Sequence, residues 1–162
     1  MSGRAEHHRQ KNVKIEGSYT VPAPRDLVWR ELMNHETLAQ ALPGCEKFEP
    51  DPAGGFRVVL KMGVAAIKGT YEGRVEITDV SPPLSYRMKV KGKGSGGFVE
   101  GEGNLSLAES SASTVITYSG EARLGGAIAA VGQRLAQAAA RQIVNQFFRS
   151  FAGIVTASPP SL

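Results

Sequence analysis

Apolar and polar residues alternate through most of the middle of the chain. The alternation runs through GFRVVLKM (55–62), IKGTYEGRVEITDV (67–80), LSYRMKVKGK (84–93), FVEGEGNLSL (98–107) and STVITYSGEAR (113–123), and it also occurs earlier in VKIEGSYTV (13–21). A period of two is typical of strands in a sheet that buries only one face. Proline and glycine turn signals separate the later segments. The pattern therefore predicts an antiparallel sheet of about seven strands, one of them before the meander.

Two short helices are predicted between the first strand and the meander. The segment PAPRDLVWRELMN (22–34) has Pro24 near its first turn and Asp26 near the positive end of the helix dipole. The segment HETLAQAL (35–42) follows, and Pro43 with Gly44 provides a stop signal. Both helices are too short to cover the buried face of the sheet.

One long helix is predicted near the C-terminus. Between residues 124 and 155 the apolar residues recur at helical spacing, as Ile128, Val131, Leu135, Ala139, Ile143, Phe147 and Phe151. Internal Arg134, Gln137 and Arg141 exclude a membrane span, and the lack of a strict heptad disfavours a coiled coil. We expect this helix to cover the buried face of the sheet.

These elements predict an α+β protein. Two short helices follow the first strand of a curved antiparallel sheet, and the long C-terminal helix covers the buried face of that sheet. We expect one ligand-binding domain over residues 13–155. A disordered leader is expected over residues 1–12, and a frayed C-terminus over residues 156–162.

Glycines occupy several strand positions that the alternation assigns to the buried face. They are Gly69, Gly73, Gly101, Gly103 and Gly120. Glycine in a strand permits a bend or a close approach, so these residues fit a strongly curved sheet with a closely packed helix. The missing side chains also fit an unfilled apolar cavity between sheet and helix. The two interpretations overlap, because curvature itself creates a hollow.

A set of apolar and aromatic side chains is predicted to line such a cavity. Each of them is also a common packing residue, but together they suit a greasy or aromatic ligand. Their tyrosine hydroxyls could bond to a ligand carbonyl. The candidates are Trp29, Phe56, Leu60, Met62, Tyr71, Tyr86, Met88, Phe98, Tyr118, Ile128, Val131, Leu135, Phe147 and Phe148.

Glycines near the start of the long helix suggest two further features. Gly125 and Gly126 predict either a tight turn or a hinge that opens an entrance to the cavity. Gly132 is expected inside the helix, where glycine is unfavourable and a packing or access role would explain it.

The sequence provides no set of catalytic or metal-binding residues. Cys45 is the single cysteine, and His35 has only the adjacent Glu36 as a candidate acid–base partner. We therefore expect no catalytic site, no metal site and no cofactor. The net charge of +4 comes without an arginine-rich run interleaved with aromatics, so nucleic acid is not an expected partner. The N-terminal residues lack the apolar run of a secretory signal, which predicts a cytoplasmic protein.

Several segments resemble the CoxG family, a family of small subunits of aerobic carbon monoxide dehydrogenase. They are VPAPRDLVW (21–29), LAQALPGCEKFE (38–49), KGTYEGRVEITDVSPP (68–83), GEGNLSL (101–107), GGAIAAVGQRL (125–135) and the pair Phe147 and Phe148. The resemblance covers about residues 13–155. The family belongs to the START-like, Bet v 1-like (SRPBCC) superfamily of helix-grip folds.

The resemblance implies a helix-grip fold, in which the curved sheet wraps around the C-terminal helix with a hydrophobic cavity between them. It also implies an accessory role beside a molybdenum hydroxylase. The implied task is membrane recruitment of the dehydrogenase and handling of a lipid or quinone electron acceptor, with peripheral contact at the inner face of the cell membrane. Many relatives carry a long C-terminal extension, whereas this sequence stops at Leu162. Two alternatives stay open: a cyclase- or dehydratase-like enzyme of the same fold, and an assembly factor that binds protein through its outer surface.

Overall fold

The computed structural model describes residues 10–63 and 68–157 of the chain. A 3-10 segment, Gly126–Val131, precedes the last helix. The strands and helices are β1 Gln10–Val21, α1 Arg25–Leu32, α2 His35–Ala41, β2 Cys45–Pro50, β3 Phe56–Met62, β4 Gly69–Ser81, β5 Ser85–Gly94, β6 Gly97–Ser110, β7 Ser113–Gly125 and α3 Gln133–Ala157.

The strands form one curved antiparallel sheet in the order β1-β7-β6-β5-β4-β3-β2. Strands β2 to β7 pair with their neighbours in sequence, and β1 pairs along its whole length with β7. The predicted α+β helix-grip architecture is confirmed. Strand β2 was not predicted as a separate segment, because only Phe48 of its six residues is buried and no alternation appears there.

The ends of the predicted domain differ from the expected boundaries. Strand β1 begins at Gln10, which pairs with Gly125, so residues 10–12 belong to the sheet and not to a leader. Helix α3 continues to Ala157, so residues 156 and 157 are helical. The remaining residues of the predicted leader and frayed end, 1–9 and 158–162, lie outside the described residues.

Specific side-chain contacts fix the two short helices. Asn34 caps α2 by accepting a hydrogen bond from the backbone N–H of Glu36 at 3.0 Å. The Thr37 hydroxyl donates to the buried Glu31 carboxylate at 2.6 Å and so joins α2 to α1. The segment before α1 is held to β7, where the fully buried Thr114 hydroxyl donates to the Ala23 carbonyl at 2.8 Å.

The predicted single helix from residue 124 is wrong for its first turns. Residues 126–131 form the 3-10 segment, and α3 starts only after Gly132. Gly132 has a φ of 94°, a conformation that interrupts any helix and that side-chain-bearing residues rarely adopt. The break separates Ile128 and Val131 from α3, whose buried residues are Ala136, Ala139, Phe148, Phe151 and Val155.

Helix α3 lies against β1, α1 and α2. Two glutamines one turn apart fix its first turns on the β1 edge. Gln137 bonds to both the N–H and the carbonyl of Lys14, and Gln133 donates to the carbonyl of Asn12 at 2.5 Å. The side chains therefore satisfy backbone groups that an edge strand leaves unpaired. Among the described residues, no helix combines the length and apolarity needed to cross a membrane.

Candidate ligand-binding hollow

A band of glycines crosses the inner face of the sheet, the face that α3 covers. We define the glycine band as Gly73, Gly92, Gly101, Gly103 and Gly120. Gly73 lies directly opposite Gly92, and Gly103 lies directly opposite Gly120. Gly92 had not been predicted, although it shares its strand parity with the inward-facing Tyr86, Met88 and Val90. Side chains are thus missing from the centre of four adjacent strands.

The surroundings that a side chain would meet differ among the glycines of the band. A Cβ atom at Gly73 would overlap the Lys91 carbonyl, so close approach of the strands requires glycine there. A Cβ atom at Gly92 would meet only strand backbone, at 3.6 Å or more. A Cβ atom at Gly120 would likewise meet only backbone, the nearest atom being the Glu102 oxygen at 3.4 Å. Hence no described α3 atom lies within 4 Å of these two positions. Close strand approach thus explains Gly73, whereas a side chain at Gly92 or Gly120 would make only ordinary contacts with strand backbone.

Aromatic side chains bound the region between sheet and helix on one side, which we call the aromatic end. Trp29 of α1 makes an edge contact with Tyr86 of β5, with ring centroids 5.7 Å apart. Phe148 of α3 stacks on Tyr118 of β7 at 4.9 Å and meets the Phe147 ring at 5.1 Å. Met88 packs against the same cluster.

Several side chains of the aromatic end are only half-buried although they point inward. They are Trp29, Met88, Tyr118 and Phe147. In a closely packed interior such side chains would be fully covered. These side chains, with Gly92 and Gly120, mark the candidate ligand-binding region between sheet and helix. We call this region the hollow.

Met62, Tyr71 and Ile128 form the cluster at the opposite side of the hollow, with Leu60 and Val131 packed against it. The Tyr71 side chain is 6% exposed, and its hydroxyl has no hydrogen-bond partner among the described residues. Burial raises the pKa of Tyr71, so the hydroxyl stays protonated and can donate. An unpartnered buried hydroxyl is costly. It lies beside Gly96 and Ile128, so a ligand oxygen reaches it only when these neighbours shift.

The 3-10 segment closes the hollow beside Tyr71. The Ile128 N–H donates to the Gly96 carbonyl in the β5–β6 turn at 2.8 Å. Gly126 has a φ of 77°, and a Cβ atom there would lie 2.8 Å from the Gly97 Cα. This junction is therefore a tight turn held by backbone contacts, which favours the turn over the hinge at Gly125 and Gly126.

The structure corrects two of the predicted lining residues. Phe98 pairs with Gly125 on the outer face of the sheet, where its ring covers that glycine. It shares strand parity with Glu100, whose carboxylate accepts from Arg123 at 2.6 Å, so parity alone could have excluded it. Leu135 is 53% exposed on the solvent side of α3, because it lies outside the sector of the helix that Ala136, Ala139, Phe148, Phe151 and Val155 bury.

The remaining predicted residues lie in the interior, though not all at one place. Phe56 packs beside Phe48 and His35 near β2, with ring centroids 5.4 Å and 6.1 Å away. The predicted lining omitted Ile77 and Val144, which pack at the aromatic end, and Val99 and Ile143, which pack near Tyr71. Strand parity with Val75 and Gly101 places Ile77 and Val99 on the inner face.

Two concavities open elsewhere on the surface. One, of about 420 Å³, lies on the outer face of the sheet, and the other, of about 430 Å³, lies along the solvent side of α3. The first is lined by polar groups that include Asp79, Arg87, Asn104 and Ser119. Neither opens between sheet and helix.

The titratable residues singled out from the sequence have structural contacts. The Nδ1 atom of His35 lies 3.0 Å from the Phe48 carbonyl oxygen and holds α2 against β2. Burial raises the pKa of the Cys45 thiol, and the Glu46 carboxylate adds to this, although a backbone bond from the thiol to Lys47 opposes it. The thiolate is therefore disfavoured. No group of metal-ligating side chains occurs among the described residues.

Comparison with known proteins places this architecture in a family. Residues 17–155 match CoxG, a family of carbon monoxide dehydrogenase subunits. A conserved protein from Geobacillus kaustophilus, of known structure, is 32% identical with a TM-score of 0.85, over 90% of this chain and 95% of its own. No curated protein matches the chain.

More distant structures share the fold alone. Norcoclaurine synthase from Thalictrum flavum, solved in complex with dopamine and hydroxybenzaldehyde, is 12% identical with a TM-score of 0.62, over 97% of this chain and 94% of its own. The protein Ara h 8.0201 is 14% identical with a TM-score of 0.64, over 91% of this chain and all of its own. The fold is thus Bet v 1-like.

Proposed function

The chain belongs to the CoxG family of carbon monoxide dehydrogenase subunits, and we propose that it binds a quinone or another lipid without catalysing a reaction. In this proposal it serves an aerobic carbon monoxide dehydrogenase or a related molybdenum hydroxylase. It helps to recruit that enzyme to the membrane or delivers an electron acceptor to it. Family membership itself suggests the coarser role of an accessory protein associated with the dehydrogenase.

The observation that carries the proposal is the hollow in front of Gly92 and Gly120. The positions of these two glycines leave room where other sheet proteins place core side chains, and half-buried Trp29, Met88, Tyr118 and Phe147 surround it. Aromatic and thioether groups suit a flat or flexible apolar ligand. No charged group lines the hollow among the residues we assign to it, which disfavours a charged ligand.

The unpartnered Tyr71 hydroxyl supplies one polar contact at the side opposite the aromatic end. A quinone carbonyl is a hydrogen-bond acceptor, so it matches a protonated phenol donor. The polar contact would fix the orientation of the ring, while the apolar walls supply most of the affinity.

Apolar burial is large enough for useful binding. A ligand that buries about 400 Å² of apolar surface gains on the order of 10 kcal/mol before ordering costs. The costs of immobilising ligand and side chains consume several kcal/mol of this gain. Micromolar affinity is therefore feasible without any ion pair.

Native mass spectrometry of the protein as purified tests the proposal first. We expect a co-purifying lipid or quinone that organic extraction releases and that mass spectrometry identifies. A titration with a short-chain ubiquinone or menaquinone analogue then follows the emission of Trp29, the single tryptophan. We expect saturable quenching, since Trp29 lies at the aromatic end.

The titration needs two controls. A water-soluble quencher without affinity should give a linear, unsaturable response, and Tyr71→Phe should weaken quinone binding by several-fold while leaving a carbonyl-free lipid unaffected. Emission that responds to the quinone only as it does to the soluble quencher would contradict binding in the hollow.

A further inference from the structure

The solvent side of α3 carries an unusual charge pattern. The helix contains Arg134, Arg141 and Arg149 and no aspartate or glutamate among its 25 residues. The net charge of the whole chain is +4, so the rest of the sequence is close to neutral. The net positive charge of the protein is therefore concentrated on one helix.

These arginines point in one direction and form no ion pair among the described residues. At 3.6 residues per turn they lie within a sector of about 80° around the helix. All three are exposed, and the ion pairs found among the described residues use Arg25, Arg30, Arg74, Arg87 and Arg123 instead. On the outer face of the sheet, by contrast, Lys89 lies opposite both Glu76 and Glu102. The charge of the α3 arginines thus lacks the cross-strand compensation found on the sheet.

The same sector of the helix is concave and rich in amides. Arg141, Arg149, Gln142, Asn145, Gln146 and Ala138 line the concavity of about 430 Å³. We call these residues, with Arg134 and the exposed Leu135, the arginine face. Guanidinium groups bind carboxylates through paired, directional hydrogen bonds, and the amides between them add further directional contacts.

From these observations we propose that the arginine face docks a carboxylate-rich protein surface, namely one on the dehydrogenase with which this chain associates. The inference rests on the proposed function for the identity of the partner. A membrane fits less well, because a helix that lies in a lipid interface presents a broad apolar side. Here Leu135 is the single large exposed apolar side chain of the face. Arginine is enriched at protein–protein interfaces, and their rims are polar.

The test measures binding of purified carbon monoxide dehydrogenase holoenzyme to the immobilised full chain. The variant Arg141→Gln/Arg149→Gln should bind roughly 10- to 100-fold more weakly than the wild type, because carboxylates on the partner lose their donors. The control Lys89→Gln/Lys91→Gln removes the same charge from the outer face of the sheet. It should bind like the wild type. Higher salt should weaken the wild type more than the arginine variant.

Two further measurements separate the possible outcomes. Quinone quenching of Trp29 in the arginine variant should match the wild type, which shows that fold and hollow are intact. Sedimentation with vesicles of phosphatidylglycerol and phosphatidylcholine tests the membrane alternative.

Equal holoenzyme binding by the arginine variant and the wild type overturns the docking surface but leaves the proposed function. Loss of vesicle binding with unchanged holoenzyme binding also overturns it and assigns the face to lipid. A wild type that does not bind the holoenzyme refutes the partner in the proposed function as well, whereas quinone binding stands on its own titration.

Discussion

Replacing Gly120 by leucine should fill the hollow from the sheet side. A Cβ atom at this position meets the Glu102 carbonyl at 3.4 Å and the Gly103 Cα at 3.8 Å, which are ordinary contacts. The backbone is extended there, so a side chain is compatible with the strand. The remaining leucine carbons would point toward the space between β7 and α3. We therefore expect Gly120→Leu to fold.

The expected effect on binding follows from the displaced volume. The four carbons of the leucine side chain occupy space that an apolar ligand would otherwise fill. At about 0.8 kcal/mol per buried methylene, the ligand loses roughly 3 kcal/mol. This corresponds to an affinity that is lower by roughly 100- to 200-fold. Stability should be unchanged or higher, because replacing glycine reduces the entropy of the unfolded chain by about 0.4–1 kcal/mol.

Quinone titration on Trp29 emission measures the affinity, and urea unfolding followed by circular dichroism measures the stability. Ser119→Leu is the matched control, because Ser119 lies on the same strand but on the exposed outer face. It should leave quinone affinity unchanged. If the interior in front of Gly120 is in fact filled, leucine would overpack it and destabilise the fold by about 1–3 kcal/mol. Such a loss of stability in Gly120→Leu, absent from Ser119→Leu, would refute the reasoning.

Three further predictions concern positions that hold the fold together. Gly132→Ala should destabilise the protein by about 1–3 kcal/mol in urea unfolding, because the φ of 94° is unfavourable for any side chain; an unchanged midpoint would contradict this conformation. Thr114→Val should lower the free energy of unfolding by about 1–3 kcal/mol, because it leaves the buried Ala23 carbonyl without its donor. Val115→Thr, on the opposite face of the same strand, serves as the comparison. Burial raises the pKa of Tyr86 above its usual range, so the unfolded chain loses this proton first as the pH rises. The free energy of unfolding should therefore fall above about pH 10, and less steeply in Tyr86→Phe; an identical slope in both proteins would argue against the buried phenol.

The strands show how far local pattern carries the prediction. In β3 the residues Phe56, Val58, Leu60 and Met62 share the inner face, as the alternation predicts, since side chains two apart point the same way in any strand. The same rule places Phe98 with Glu100 on the outer face, so this correction was available from the sequence. The family motifs then identify the fold, because they lie in separate strands and helices and occur in the order that the fold requires.

The start of α3 could not be predicted from the local spacing of apolar residues. The residues from Ile128 to Leu135 have helical periodicity, yet a 3-10 segment and the left-handed backbone of Gly132 interrupt them. The bond from Ile128 to Gly96 fixes this break, and it joins residues far apart in sequence. Ile128 and Val131 therefore do not belong to the helix that their spacing predicts, which no window along the chain could show.

Sequence alone determined the alternating strands, the short helices and the inward direction of the glycines, because these depend on neighbouring residues and on the two-residue repeat. Only the tertiary structure decided which glycines a close strand requires and which have room for a side chain. Gly73 and Gly120 have the same strand-face assignment and a similar setting in the sequence, but a Cβ atom at the first would overlap the Lys91 carbonyl and one at the second would not. The difference comes from how closely the neighbouring strand backbone approaches each glycine, which depends on pairing between residues far apart in the chain.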